Sequence, residues 1–462
     1  MSVPAKEIVN NYTLFPSIAG GMIEKDGELD ISTYGVKALD KKSERVKDTT
    51  PYIIGSCSKS MTATMIMKAC YTRHIMNPMR SITIGSVVPT VQDAYKNVTL
   101  KQLLCMTAGI IDTPTGSYSP ANDTFWEFFI KSTDDLKTQR AQLVEKVCGK
   151  NAPPPAFTPG TAYKYSNLGY IVAAHVIEVK FKSTYEDMMS KYLFDPLKME
   201  GQTPTVPITT YSQNAVGHSV MGKGQEKNNT WLKWNKTVKN LIPSLPEAPK
   251  ITEKDTIAFV VDTELQYPPP VLGPAGTICL DMKSWLLYLD AVMMNEPSFL
   301  PKRFWKTLVN TGVSQNEWFP PHKIVKSSQM YSFGWIYEPS NPDFLFYTGY
   351  IFTFNADIFI QQGEIALAAV TNSGRGPGGD TEPLRLLEYA LCPSKFKDMK
   401  SKIAAFIKVG KDNPSVDSWP PLENAKTESF KNMISSTYSI HIPSLLLIIL
   451  FIVLLKKQGK FI

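Results

Sequence analysis

Residues 61–70 read MTATMIMKAC, a run that is apolar on nearly every side at helical spacing. A helix without a solvent-facing stripe must have protein packed all round it, so this run demands a core large enough to enclose it. The 462 residues, 43% of them hydrophobic, can supply one. The preceding IIGSCSKS places the start of the helix near Ser56. Strand-like text occurs at both ends of the same region. Residues 18–24 and 29–34 flank Asp26-Gly27, a strong hairpin signal. Between 330 and 372, YSFGWIYE, FLFYTGY, FNADIFIQ and EIALAAVTN read as consecutive antiparallel strands, and 381–391 as a closing helix. The text from about 80 to 200 is mostly helical, with helices expected at 98–106, 125–129, 136–147 and 168–179. Strands first and last with helices between predict an α/β protein: a central antiparallel sheet flanked by helices, with a mainly helical domain inserted. The expected divisions are a sheet domain of 1–80 and 273–394, a helical domain of 81–201, and a Pro-rich insert of 202–272 made of loops over one face.

Charge adds little until it is located. Residues 395–411 hold six Lys and one Asp, 432–462 hold three Lys, and 412–431 are acidic by two, so 1–394 carry only about +1 of the formal +7. Nucleic acid is therefore not an expected partner. At the C-terminal end, 438–455 is an uncharged, largely apolar run closed by Lys456-Lys457. Its 18 residues would make about 27 Å of helix, close to a thin bilayer core, and predict one transmembrane helix that makes the membrane a partner. Residues 395–437 then read as a Lys-rich juxtamembrane stalk and 456–462 as a basic tail. No apolar signal stands in residues 1–20, so the expectation is a single-pass protein whose domain is either luminal or extracellular, or tail-anchored and cytosolic. Sequons at Asn11, Asn97, Asn122, Asn228 and Asn235 would suit a glycoprotein.

Much familiar chemistry is missing. The five His form no HExxH or HxH pair, the six Cys form no CxxC, and no GxSxG, P-loop or GxGxxG occurs, so neither a metal nor a cofactor is expected. What stands out is Ser56-Cys57-Ser58-Lys59 at the start of the buried helix. Residues three apart share a helix face, which brings the Lys59 amine beside the Ser56 hydroxyl. Burial and a helix N-terminus both lower an amine's proton affinity, so Lys59 can serve as base for a Ser56 nucleophile. The spacing alone decides nothing, because Ser394 and Lys397 repeat it in a Lys-rich stretch with no buried helix behind them. A second constellation, Tyr165-Ser166-Asn167, follows the Pro159-Gly160 turn and opens another apolar helix. Its phenol can relay a proton at Ser56, and its amide can hold a substrate carbonyl or steady Lys59.

With these two motifs in order, the chain resembles the serine β-lactamase and penicillin-binding-protein family, particularly its class C, esterase and LACTB-like branch. The likeness runs from about residue 18 to 391 and rests on IGSCSKSMTA, VTLKQLLCMTAGI, PGTAYKYSNLGYIVAAHVIE, LFDPLKMEGQTPT and GPAGTICLDMKSWLLYL. It implies a β-lactamase/transpeptidase-like fold, a nucleophile at Ser56, a base at Lys59, a proton relay at Tyr165 and a substrate-orienting amide at Asn167. The third family motif departs from the pattern. A Lys or His is expected where Tyr347-Thr348-Gly349 stands, and the Gly usual a few residues on is replaced within Phe352-Thr353-Phe354. By analogy Tyr347, Thr348, Gly349 and Tyr350 would line the substrate, with the Ser56 and Tyr350 N–H groups forming an oxyanion hole. Tyr347 offers no fixed positive charge, which weakens the case for a carboxylate-bearing β-lactam or D-peptide and leaves ester or neutral amide chemistry open. The expected function is a membrane-anchored serine hydrolase of small-molecule or peptide esters or amides, acting through an acyl-serine. The alternatives are an acyltransferase using the same site and a catalytically inactive binding or structural relative.

Overall fold

The computed structural model describes residues 16–41, 43–112, 129, 131–201, 214–222, 250–253, 257–261, 269–319, 323–325, 327, 329–351 and 353–374. Its main sheet has eight strands: β1 (Ser17–Glu24), β2 (Leu29–Gly35), β3 (Val313–Ser314), β4 (Met330–Ser332), β5 (Trp335–Glu338), β6 (Asn341–Ile351), β7 (Phe354–Gln361) and β8 (Ile365–Thr371). Their order is β2-β1-β8-β7-β6-β5-β4-β3, every pairing antiparallel. The N-terminal hairpin thus joins the C-terminal meander through β1 and β8, in register from Ile18 opposite Thr371 to Glu24 opposite Ile365. Ser17 secures the seam: its N–H and its hydroxyl both donate to Asn372 Oδ1, at 2.9 and 2.8 Å.

Among the described residues, five helices frame the sheet and the site: α1 (Ser58–Thr72), α2 (Leu100–Leu104), α3 (Leu136–Cys148), α4 (Asn167–Phe181) and α5 (Met282–Met293). The run at 61–70 lies within α1, where Met61, Ala63, Met65, Ile66, Ala69 and Cys70 have no exposure, as the sequence requires. Each later helix has a local start signal. Thr99 and Gln102 form a capping box at α2, and the Asp135, Ser166 and Asp281 side chains accept first-turn N–H groups at α3, α4 and α5. Helix α5 packs on β1 and β8. Helices α3 and α4 are joined by a fully buried guanidinium: Arg140 bonds Glu178 at 3.0 and 2.7 Å and Glu186 at 3.0 and 2.8 Å.

Several expectations need correcting. The stretch YSFGWIYE is two strands, β4 and β5, joined at Phe333-Gly334, where both residues take left-handed angles (φ 51° and 94°) as a two-residue hairpin turn demands. The apolar alternation hides the turn because Phe333 itself is fully buried. A Cβ on Gly334 would fall 2.4 Å from the Ser60 nitrogen, so this hairpin tip abuts the first turn of α1. Residues read as insert loops include a three-stranded antiparallel sheet, His218–Gly222, Ile257–Val261 and Lys250–Glu253 in that order. The helix expected at 98–106 shortens to α2.

The expected transmembrane helix, and with it the single-pass localisation, is also corrected. Among the described residues no helix is long and apolar enough to cross a membrane. The longest, α1 and α4, have 15 residues each, about 22 Å, and their apolar faces are taken up by the protein core. The α/β fold of the described residues includes no membrane-spanning helix. Residues 438–455 lie outside the described residues, as do the stalk and basic tail, the helix expected at 381–391, most of 125–129, Phe352, Ser394 and the sequons at Asn11, Asn122, Asn228 and Asn235.

Candidate active site

Ser56 does not sit in α1 itself. It occupies a short 3-10 turn, Gly55–Cys57, that leads into the helix, with Gly55 at φ 55°. This left-handed residue swings the chain from the strand at Tyr52–Ile53 into α1 and leaves Ser56 half-buried at the junction. Strand β6 lies directly against the turn. A Cβ on Gly55 would come 2.7 Å from the Tyr350 nitrogen, and one on Gly349 would come 2.0 Å from the Ile54 carbonyl oxygen. Only glycine at 349 lets the two backbones approach so closely.

One turn further on, Lys59 is completely buried. Its Nζ reaches three acceptors: Ser56 Oγ at 2.9 Å, Asn167 Oδ1 at 2.7 Å and the Ala275 carbonyl at 2.7 Å. The Tyr165 and Tyr170 rings lie 4.8 and 5.7 Å from the same nitrogen. Burial lowers the amine from its ordinary 10.5 to about 7, against the opposing pull of Asp112 and Cys57. Lys59 therefore changes charge near neutrality. Ser56 Oγ also bonds the Tyr165 hydroxyl at 2.6 Å. Burial raises that phenol above its usual range, while its bond to Ser56 draws it down.

Asn167 opens α4, and its neighbours are held by a carboxylate the sequence reading passed over. Asp112 Oδ1 accepts from Ser166 Oγ at 2.9 Å and the Leu168 N–H at 3.0 Å, and Asp112 Oδ2 accepts from Asn167 Nδ2 at 2.8 Å. Burial pushes this carboxyl up, and the N–H groups of Leu168 and Asn167, the Ser166 hydroxyl and Lys59 pull it back. Every one of these partners is a donor, which matches the ionised form. The only clue in the sequence is a lone Asp closing the apolar stretch MTAGII. The Ala275 carbonyl, a main-chain group, left no clue beyond its place in the GPAG turn.

The third motif is brought to the same place but divided between two faces. Tyr347 and Gly349 share the sheet face turned to α1, and alternation along β6 carries the Thr348 and Tyr350 side chains to the other. Tyr347 is buried, its ring 5.9 Å from that of Tyr331, which in turn bonds the Tyr170 hydroxyl at 3.1 Å. Tyr350 is 39% exposed, and its backbone nitrogen lies against Gly55, the residue before Ser56. Among the described residues, no cluster of three or more His, Cys, Asp or Glu could hold a metal ion, and Cys57, Cys70, Cys105, Cys148 and Cys279 are buried and form no disulfide.

Fold and site together define an α/β protein with a serine and a lysine paired at the start of a buried helix. The chain belongs to the Beta-lactamase family, whose pattern matches residues 19–391. The curated protein flp of Staphylococcus aureus (strain MW2) is 24% identical over 203 residues, 44% of this chain and 37% of that protein. The chain thus spans well under half the length of that relative. Among solved structures, the octameric penicillin-binding protein homologue from Pyrococcus abyssi has a TM-score of 0.60 at 18% identity, covering 88% of this chain and 79% of its own. The D-amino acid amidase from Ochrobactrum anthropi SV3 complexed with L-phenylalanine has a TM-score of 0.61 at 16% identity, covering 85% and 98%. At these identities the two structures share the fold with this chain.

Proposed function

We propose that this protein is a serine hydrolase that cleaves ester or neutral amide substrates through an acyl-Ser56 intermediate. The observation that carries the reading is the fully buried Lys59 amine, 2.9 Å from Ser56 Oγ and brought to about 7. A neutral amine has two N–H bonds and one lone pair. With the N–H bonds directed at Asn167 Oδ1 and the Ala275 carbonyl, the lone pair is left facing the Ser56 hydroxyl. Lys59 then takes the Ser56 proton as Oγ attacks the substrate carbonyl, and the oxyanion is received by the Ser56 and Tyr350 N–H groups. Tyr165, bonded to Oγ, gives its proton to the departing alcohol or amine and is reprotonated by the Lys59 ammonium, and water repeats the sequence on the acyl-enzyme to release the acid. Asn167 orients the substrate by donating its second Nδ2 hydrogen to a substrate carbonyl, and the main chain of Thr348 and Gly349 borders it. The cleft is taken to lie between the sheet domain (1–80 and 273–394) and the helical domain (81–201). Tyr347 in place of a cation favours neutral acyl groups over carboxylate-bearing ones. The name of one structural neighbour, D-amino acid amidase, is consistent with amide chemistry on this fold.

The test is mass spectrometry of the full chain after exposure to a fluorophosphonate, a neutral aryl ester and, separately, a penicillin. An adduct on Ser56 is expected with the first two, lost in Ser56→Ala, reduced at least about a hundredfold in Lys59→Ala and unchanged in Ser394→Ala. Equal loss in Ser394→Ala, or folded wild-type protein that forms no Ser56 adduct with any reagent, would overturn the assignment and favour a binding protein.

A further inference from the structure

We propose that Asp112 is a positioning residue, whose buried carboxylate decides which end of the Asn167 amide meets Lys59 and so where the Lys59 lone pair points. The proposal rests on the hydrolase reading of the same site but concerns a residue that touches neither Ser56 nor substrate.

The argument starts from donors and acceptors. An amide side chain can face Lys59 with its oxygen or its nitrogen, and these differ in consequence. With the oxygen inward, Asn167 accepts from Lys59 at 2.7 Å and its Nδ2 donates to Asp112 Oδ2 at 2.8 Å. With the nitrogen inward, Oδ1 would oppose the Asp112 carboxylate, acceptor against acceptor, and an N–H would oppose Lys59. Asp112 cannot turn away to relieve this. Its other oxygen is held by Ser166 Oγ at 2.9 Å and the Leu168 N–H at 3.0 Å, and the residue is 5% exposed. Ser166 is itself fixed, since its Oγ also caps α4 through the Gly169 N–H at 3.0 Å. Asp112 thus transmits the direction of the α4 start to the amine.

It also sets the charge. The titratable groups that bear on Lys59 among the described residues are Asp112 from the loop after α2, Cys57 from its own turn, and the phenols Tyr165 and Tyr170 at the start of α4, with Tyr347 of β6 and Tyr331 of β4 behind them. Asp112 is the carboxylate of this set. Its negative charge favours the ammonium, and burial opposes it.

An isosteric change reverses the pattern. In Asp112→Asn, the amide at 112 keeps Ser166 and Leu168 satisfied through its oxygen but turns an N–H₂ toward Asn167. Asn167 must then flip, presenting N–H to Lys59, so the amine loses both a carboxylate and an acceptor. Its lone pair turns to that N–H, away from Ser56. The double change Asp112→Asn with Asn167→Asp restores every donor–acceptor match and moves the carboxylate next to Lys59.

The experiment follows the pH midpoint of Lys59 directly, by ¹³C NMR of ε-labelled lysine, assigned through the signal missing in Lys59→Met. In parallel it measures the rate of fluorophosphonate attack on Ser56. Both use the full chain, with wild type, the single variant and the double variant compared. The expected result is a midpoint at least about one pH unit below wild type in Asp112→Asn, with labelling at least about tenfold slower at its plateau. In the double variant labelling is faster than in Asp112→Asn and the midpoint lies above that of wild type. A merely structural Asp112 would slow labelling in both variants and leave the midpoint where it is, and that outcome overturns the proposal. If Asp112→Asn does not fold, the double variant alone decides: a raised midpoint supports the proposal, and an unmoved one overturns it. Absence of labelling in wild type would fell the hydrolase reading, while the NMR midpoints still judge Asp112.

Discussion

Lys59→Met isolates the burial of the amine. In the unfolded chain Lys59 holds its proton up to about 10.5, and in the folded protein only up to about 7. Between those values unfolding takes up a proton, so wild-type stability rises with pH across this window. Below about 7 both states are protonated and the folded state bears the full burden of the buried charge. A gap of about 3.5 pH units corresponds to about 5 kcal/mol. Methionine, similar in length and uncharged, carries no such burden. Linkage gives the variant an advantage of about 5 kcal/mol near pH 6 that shrinks to about 2 kcal/mol near pH 9. The lost bonds to Asn167 and Ala275, and the packing of the thioether, add a constant to both figures. The decisive quantity is therefore the difference, a fall of about 3 kcal/mol between the two conditions. Urea unfolding of both proteins at each pH, followed by tryptophan fluorescence, measures it. An advantage that stays flat, or grows with pH, refutes the assignment of a buried amine poised near neutrality.

Two further changes probe the frame around the site. Gly349→Ala would set a methyl 2.0 Å from the Ile54 oxygen and 3.1 Å from Cys57 N; β6 must then retreat, lowering stability by about 1–3 kcal/mol and slowing Ser56 labelling at least tenfold, and wild-type kinetics would contradict the close approach. Arg140→Met leaves Glu178 and Glu186 without their shared cation, and a loss of about 3–5 kcal/mol in urea unfolding is expected; a neutral result would mean the two carboxylates find other partners.

How far the sequence could be read depended on whether a feature is local. The strands of β1, β2 and β6 to β8 were legible because alternation and turn residues are written within ten positions. The α1 and α4 helices were legible because their enclosure is written in composition. Ser56, Lys59, Tyr165 and Asn167 come together as the motif pair suggested. Asp112 was not legible, because nothing in the sequence says that residue 112 meets 166 to 168, more than fifty positions away. The Ala275 contact uses a carbonyl that every residue possesses. The β4–β5 turn was lost because Phe333 is at once a turn residue and a core residue, and alternation records only the second. The membrane span was inferred from hydropathy, a one-dimensional property.

The seam between β1 and β8 has a consequence for how the protein is made. Ser17 and Asn372 are bonded across 355 positions, so the first of the described strands waits for the last of them. At about 5–20 residues per second that interval is tens of seconds. Throughout it β1 and its hairpin partner offer apolar residues and an unpaired edge to whatever is nearby. Helices α1 to α5 emerge meanwhile and can form locally, but α5 lacks the finished sheet on which it packs. The nascent chain is therefore most exposed to chaperones and to self-association late in synthesis, and removal of β8 alone would leave residues 16–361 as an incomplete sheet.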